Sequence, residues 1–210
     1  MPGICRGKAE KISFSTWNIR GISDRVYGDK LSCDLFLNGI SDIDFVLLTE
    51  TWTCRDINIS GYRSHLSVPS NRNCSARLSG GLCLLFKEKF AESVTLLNKG
   101  TNVIWCKINR LCFDLANDIY ICGVYIPPQN STYFSEDIFE ELENDINYYS
   151  SQGSILLLGD LNARTGKYND FLEAPHRCFL DIDEQENVTP VAFRNNCDNV
   201  LNEHGKALLK

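Results

Sequence analysis

Short apolar runs that stop abruptly on a polar residue constrain the fold of this chain more than any other feature. Ser154–Leu158 is apolar after its first residue and runs straight into Gly159-Asp160-Leu161-Asn162. Ser13–Trp17 runs into Asn18, and Asp44–Thr49 runs into Glu50. A short apolar run bounded by turn residues reads as a buried strand. A carboxylate at the end of such a run costs free energy unless a partner or a cation meets it. Three buried strands that finish in this way predict a carboxylate-and-amide site along one rim of a sheet. That is the chemistry of a hard cation and a phosphate ester.

The other runs fill in an α/β architecture. Tyr62–Val68, Leu82–Lys87, Val94–Leu97, Val103–Ile108 and Ile119–Ile126 read as further strands, the last stopped by Pro127-Pro128. Leu31, Leu35 and Ile40 give a short helix, and Gly21–Asp29 reads as a loop. The clearest helix is Asp137–Tyr149, where Ile138, Leu142, Ile146 and Tyr149 form one apolar stripe and Ser135 is placed to cap the start. Lys167–Asn199 lacks a sustained period and reads as a long surface loop, after which Leu201–Lys210 opens another helix. Strands with helices between them predict an α/β sandwich with sheets at the centre and helices outside.

A chain of 210 residues suits one domain. The domain is expected over 12–210, with 1–11 a disordered tail. No apolar run reaches the length of a membrane span, and the N-terminus lacks the apolar stretch of a signal peptide. These features predict an intracellular protein of nucleus or cytoplasm, not secreted, with no membrane and no obligate protein partner. The ten cysteines form no Cys-x-x-Cys pair, so Cys83, Cys106 and Cys122 are expected as reduced thiols buried in strands. Net charge is −6, matched by the six acids between Glu136 and Asp145. From Ile57 to Lys87 there is no acid, only Arg63, Arg72, Arg77 and Lys87. That stretch is equally a nucleic-acid contact or a solvated basic loop.

FSTWNIRG (14–21), LLTETW (47–52), SGGLCLLFK (79–87), GVYIPP (123–128) and GDLNARTG (159–166) together resemble the endonuclease/exonuclease/phosphatase superfamily. Within it they look most like the apurinic-like endonuclease domain of non-LTR retrotransposons. The resemblance implies a four-layer α/β sandwich, two packed mixed β-sheets flanked by helices, and phosphodiester hydrolysis with Mg²⁺ or Mn²⁺, with DNA as the partner. It implies Glu50 as the metal carboxylate, with Asn18 beside it helping to hold the metal, a water and the phosphate. Asp160 would orient or deprotonate the attacking water. Asn162 would donate to a phosphate oxygen, and Tyr125 would hydrogen-bond the phosphate. Arg72, Arg77 and Arg164 are candidate nucleic-acid contacts.

Two departures matter. Arg20 stands where repair apurinic endonucleases carry an aspartate, which favours the retrotransposon branch. The family's closing aspartate and Ser-Asp-His block do not occur, and His65, His176 and His204 lie in other contexts. The expectation is a sandwich incomplete at its C-terminus and a chain impaired or inactive as an endonuclease. Two alternatives stand beside it: a non-enzymatic relic with weak metal or nucleic-acid binding, and a phosphoesterase acting on a small or lipid phosphoester.

Overall fold

A computed structural model describes residues 11–24, 28–67, 78–168 and 196–209, in two compact units, 1–161 and 162–210. The first unit holds two four-stranded mixed sheets. One contains β1 (Phe14–Asn18), β4 (Phe45–Thr49), β5 (Tyr62–Ser67) and β6 (Leu82–Lys87), in the order β1-β4-β6-β5. The other contains β7 (Val94–Lys99), β8 (Val103–Ile108), β9 (Ile119–Tyr125) and β10 (Ser154–Asp160), in the order β10-β9-β8-β7. In each sheet the first two strands of that order run parallel and the remaining pairs antiparallel.

Alternation along the strands explains why both sheets are so apolar. Phe45 and Leu47 of β4, Leu82, Leu84 and Phe86 of β6, Ile104, Cys106 and Ile108 of β8 and Ile121 of β9 pack into one core between the sheets. The residues between them point outward. Val46, Leu48, Cys83 and Leu85 meet Phe36 and Ile40 of α1 (Asp34–Ile40). Trp105, Tyr120, Cys122 and Val124 meet Ile138 and Leu142 of α2 (Ile138–Ser150). Strands covered on both faces must be apolar at every position rather than at alternate ones. The result is the expected order of layers, helix, sheet, sheet, helix. At the inner face of β9 stands Gly123, where an added Cβ would lie 2.6 Å from Leu47 Cδ1. The two sheets meet there as closely as a missing methyl allows.

Some expectations are corrected. Only β4 is buried throughout; β1 and β10 are half-buried because each is an edge strand of its sheet. Gly21–Asp29 is not all loop, since β2 (Ser23–Asp24) and β3 (Gly28–Asp29) pair antiparallel. Ser135 does not cap α2: Asp137 is the N-cap residue, without a side-chain capping bond, and the Ser135 hydroxyl donates to the Asp137 carboxylate instead. The tail 1–10 and most of the long loop, residues 169–195, lie outside the described residues.

Cys83, Cys106 and Cys122 are free and buried. Burial pushes all three thiols up, Cys106 to about 12. Among the described residues no helix is long and apolar enough to cross a membrane.

The N-terminal ends of β1 and β4 are latched by a buried carboxylate. Asp44 Oδ2 accepts from the Ser13 amide and hydroxyl, each at 3.0 Å, and Asp44 Oδ1 pairs with Lys89 Nζ at 3.0 Å. Burial alone would raise the Asp44 carboxyl, but the Lys89 ammonium and the Ser13 donors outweigh it and hold it below its ordinary value. A depressed folded-state value contributes stability at neutral pH that is lost as pH falls through it. Asp44→Asn is therefore expected to lower stability at pH 7 and to flatten its acid limb below about pH 4, read from denaturant midpoints across pH. An unchanged acid limb would remove Asp44 from that linkage.

Candidate active site

Parallel pairing aligns the strand ends before any side chain is considered. Asn18 is the register partner of Thr49, one residue before Glu50, and Asp160 is the register partner of Tyr125. All four candidates thus stand at the carboxyl ends of parallel strands, where open α/β sheets place their ligands.

Alternation then sets the faces. Phe14 of β1, Tyr125 of β9 and Leu156 and Leu158 of β10 belong to the core between the sheets, so Asn18 and Asp160 share that inner side. Glu50 is the exception. Continued alternation from Phe45 and Leu47 would turn it outward, toward α1. Its backbone instead adopts a left-handed conformation, φ 54°, which costs about 1–3 kcal/mol for a residue with a Cβ. Arg20 (φ 48°) and Trp52 (φ 50°) share this conformation in the same two loops.

Cross-links hold these loops in place. Ile19, Gly21 and Ile22 donate their amides to the carbonyls of Thr49, Glu50 and Thr51. The Lys30 ammonium donates to the carbonyls of Ile19 and Gly21, on either side of Arg20. An added Cβ at Gly21 would lie 2.6 Å from the Trp52 ring.

The side chains meet in one hydrogen-bonded group. Asn18 Nδ2 donates to Glu50 Oε1 at 2.7 Å and to Asp160 Oδ2 at 3.1 Å. Asn18 Oδ1 accepts from the Arg20 amide at 3.2 Å, which settles the orientation of the carboxamide. Tyr125 donates its hydroxyl to Glu50 Oε1 at 3.1 Å. Burial first, and then the Glu50 and Asp160 carboxylates, hold the Tyr125 phenol far above its ordinary range, so it remains a proton-bearing donor. Thr49 and Thr51, which flank Glu50, are fully buried, and their hydroxyls have no hydrogen-bond partner among the described residues.

Two carboxylates, one from each sheet, accept from a single amide. Oxygen donors of this kind suit a hard divalent cation, which commonly takes one or two carboxylates and fills its remaining positions with water and phosphate oxygen. Glu50 could hold one through its carboxylate, whereas Asn18, expected beside it as a second ligand, turns its Nδ2 donors to the carboxylates and its Oδ1 to the Arg20 amide. Among the described residues no group of three or more His, Cys, Asp and Glu side chains is placed to hold a metal.

The second unit carries the other candidates. Asn162 has a left-handed backbone, φ 49°, and its carbonyl accepts from Asn202. Arg164 closes a two-pronged bond on Asp198, with Nε and Nη2 each at 2.8 Å, and this holds the Asp198 carboxyl at about 2. The Arg164 fork is therefore already engaged. Arg72, Arg77 and His176 lie outside the described residues. His65 sits on β5, the edge of its sheet opposite β1, with its ring 5.2 Å from that of Phe86; burial and Lys99 lower its pKa. His204 is buried in α3 (Glu203–Leu208). Sequence reasoning missed Lys30 and Asn202. For Lys30 no local signal exists, whereas Asn202 just before Glu203 carries the pattern of a helix cap.

The sequence model of the Endonuclease/Exonuclease/phosphatase family matches residues 15–195. No curated protein matches the chain. Among solved structures, the chain is similar to an endonuclease/exonuclease/phosphatase family protein from Leptotrichia buccalis C-1013-b, at 13% identity and a TM-score of 0.50, over 73% of this chain and 67% of that one. TDP2 from C. elegans aligns at 14% identity and a TM-score of 0.49, over 73% of this chain and 48% of its own. An AP endonuclease from Archaeoglobus fulgidus aligns at 15% identity and a TM-score of 0.44, over 80% and 63%. At such identities the likeness concerns the fold, and the Leptotrichia protein carries it.

Proposed function

The chain belongs to the endonuclease/exonuclease/phosphatase family, and from that membership we propose that it hydrolyses phosphodiesters with Mg²⁺ or Mn²⁺, with DNA as the substrate. The supporting observation is the Asn18 carboxamide that donates to Glu50 and to Asp160, carboxylates carried by two different sheets. The five sequence blocks that resemble retrotransposon endonucleases favour DNA over a small phosphoester, and Arg20 in place of an acid favours that branch over abasic-site repair.

Each side chain then has a task. Glu50 would hold the cation, with Asn18 orienting its carboxylate, and the cation would supply positive charge to the phosphoryl oxygens. Asp160 accepts the proton of the attacking water or orients it. Tyr125 stays protonated and donates to a phosphate oxygen, as Asn162 does through its carboxamide. Donors fixed in advance, where charge develops, commonly contribute factors of about 100–1,000 each.

The experiment separates binding from turnover. At about ten times its Kd, Mn²⁺ should stabilise the wild type by about 1.4 kcal/mol, a melting-temperature rise of about 3–6 °C for a chain of this size. Supercoiled plasmid should be nicked, slowly because these residues lack the family's Ser-Asp-His block, in a reaction that EDTA stops. Glu50→Gln keeps the shape and loses the charge, so both effects should vanish. An equal metal-dependent shift in the variant would remove Glu50 as a ligand. Failure of the wild type to turn over any phosphodiester would remove the proposed activity.

A further inference from the structure

Asn202 makes more bonds than a helix cap requires. Its Oδ1 accepts from the Gly205 amide at 2.8 Å, the ordinary capping bond of α3. The same oxygen accepts from the Arg164 amide at 2.8 Å, and the Asn202 amide donates to the Arg164 carbonyl at 3.0 Å. Asn202 Nδ2 donates to the Asn162 carbonyl at 2.8 Å. The bonds to Arg164 and Asn162 join positions 38 and 40 residues apart in the chain. Thr165 and Leu201 add an antiparallel bridge beside them. Gly205 lets the helix come close, for an added Cβ would stand 2.0 Å from the Arg164 carbonyl oxygen.

Capping needs only an oxygen acceptor, and Asp, Ser or Thr supplies one about as well as Asn. The bond to the Asn162 carbonyl needs a donor as well, and among the favoured caps only Asn carries its acceptor and its donor on separate atoms. That carbonyl belongs to a residue in a left-handed backbone, a conformation that the surrounding structure must enforce.

We infer that Asn202 is a positioning residue: its amide fixes the backbone of Asn162 and so aims the Asn162 carboxamide. The inference rests on Asn162 acting as a phosphate donor, as set out above. It assigns the segment that begins at Asn202 a part in turnover through the residue it holds, without contact to substrate.

Asn202→Asp separates the two roles, because the carboxylate still caps α3 while facing the Asn162 carbonyl with an acceptor. In the full chain, Asn202→Asp should melt above Asn202→Ala, which loses the cap. With Mg²⁺ and plasmid or bis(p-nitrophenyl) phosphate, Asn202→Asp should lower kcat by about 10-fold or more and leave KM within about 2-fold, the pattern of an interaction made only in the transition state. Asn162→Ala should cost about 100-fold. Adding Asn202→Asp to Asn162→Ala should then cost nothing more, because residues that act through one group do not add. A wild-type kcat in Asn202→Asp, or a full independent loss in the double variant, overturns the inference.

NMR tests the clamp without turnover. Asn202→Asp should shift the backbone amide resonances of Ala163 and Arg164 and leave those of β4 in place; unshifted resonances overturn it. A wild type without turnover would remove the activity proposed above, and these resonances would still decide whether Asn202 holds Asn162.

Discussion

Gly159→Ala is expected to lower the melting temperature by about 10 °C, the largest loss of stability foreseen for a single methyl in this chain. Gly159 sits in β10 at φ 149°, a backbone that residues with a side chain rarely adopt, and an added Cβ would stand 1.9 Å from the Val124 carbonyl oxygen of β9. The obstacle is backbone, so no rotamer change can relieve it. Strain of this kind costs about 1–3 kcal/mol and overpacking about as much again. At about 2–4 °C per kcal/mol for a chain of this length, their sum exceeds ordinary mutational losses. Thermal unfolding followed by circular dichroism measures it, and a midpoint within about 2 °C of wild type would show that β10 and β9 can separate freely. Because Asp160 is the next residue, any shift that accommodates the methyl also moves the carboxylate.

Asn18→Asp is the second large effect, nearly isosteric and opposite in sign where it matters. The wild-type amide donates to Glu50 and Asp160. An aspartate there would replace both donors with a third negative charge. Without divalent cation the variant is expected to lose about 3 kcal/mol at pH 7, as broken charged hydrogen bonds and like-charge crowding together require. Protonation relieves the crowding, so the deficit should shrink toward pH 5. Mg²⁺ should stabilise the variant more than the wild type, since an added carboxylate improves the ligand set. Denaturant midpoints with and without Mg²⁺ at the two pH values test this. A deficit unaffected by pH and metal would mean that the amide is not what separates the carboxylates.

Most of the fold was legible because the strands are covered on both faces. β4, β6 and β9 show as nearly continuous apolar runs, and β8 as one interrupted only by Lys107, so local composition reveals them. β1 and β10 have the same polar endings, but their half-buried character depends on lying at sheet edges, which no single strand records. β2 and β3 are too short for a pattern. The α2 stripe was plain, while its cap turned on a hydroxyl–carboxylate contact that competes with capping.

In the site, Asn18, Tyr125 and Asp160 follow from strand ends and alternation. Glu50 was recognised by type and place, but its turn toward Tyr125 depends on a left-handed backbone with no glycine to announce it. Arg164 illustrates the opposite limit. Its charge suggested a phosphate contact, whereas its geometry is set by Asp198, 34 residues further on.

Gly123 and Leu47 give the core a say in the chemistry. Asn18 and Glu50 ride on one sheet, Tyr125 and Asp160 on the other, and the gap between the carboxylates follows the gap between the sheets. That gap is gauged where Leu47 fills the space over Gly123. A larger residue at either position would act like a shim, prising apart side chains it never touches. On the activity proposed above, the residues that matter extend beyond the polar rim to an apolar contact sealed from solvent. In diverging relatives, core volume and the spacing of Glu50 from Asp160 would have to drift together or not at all.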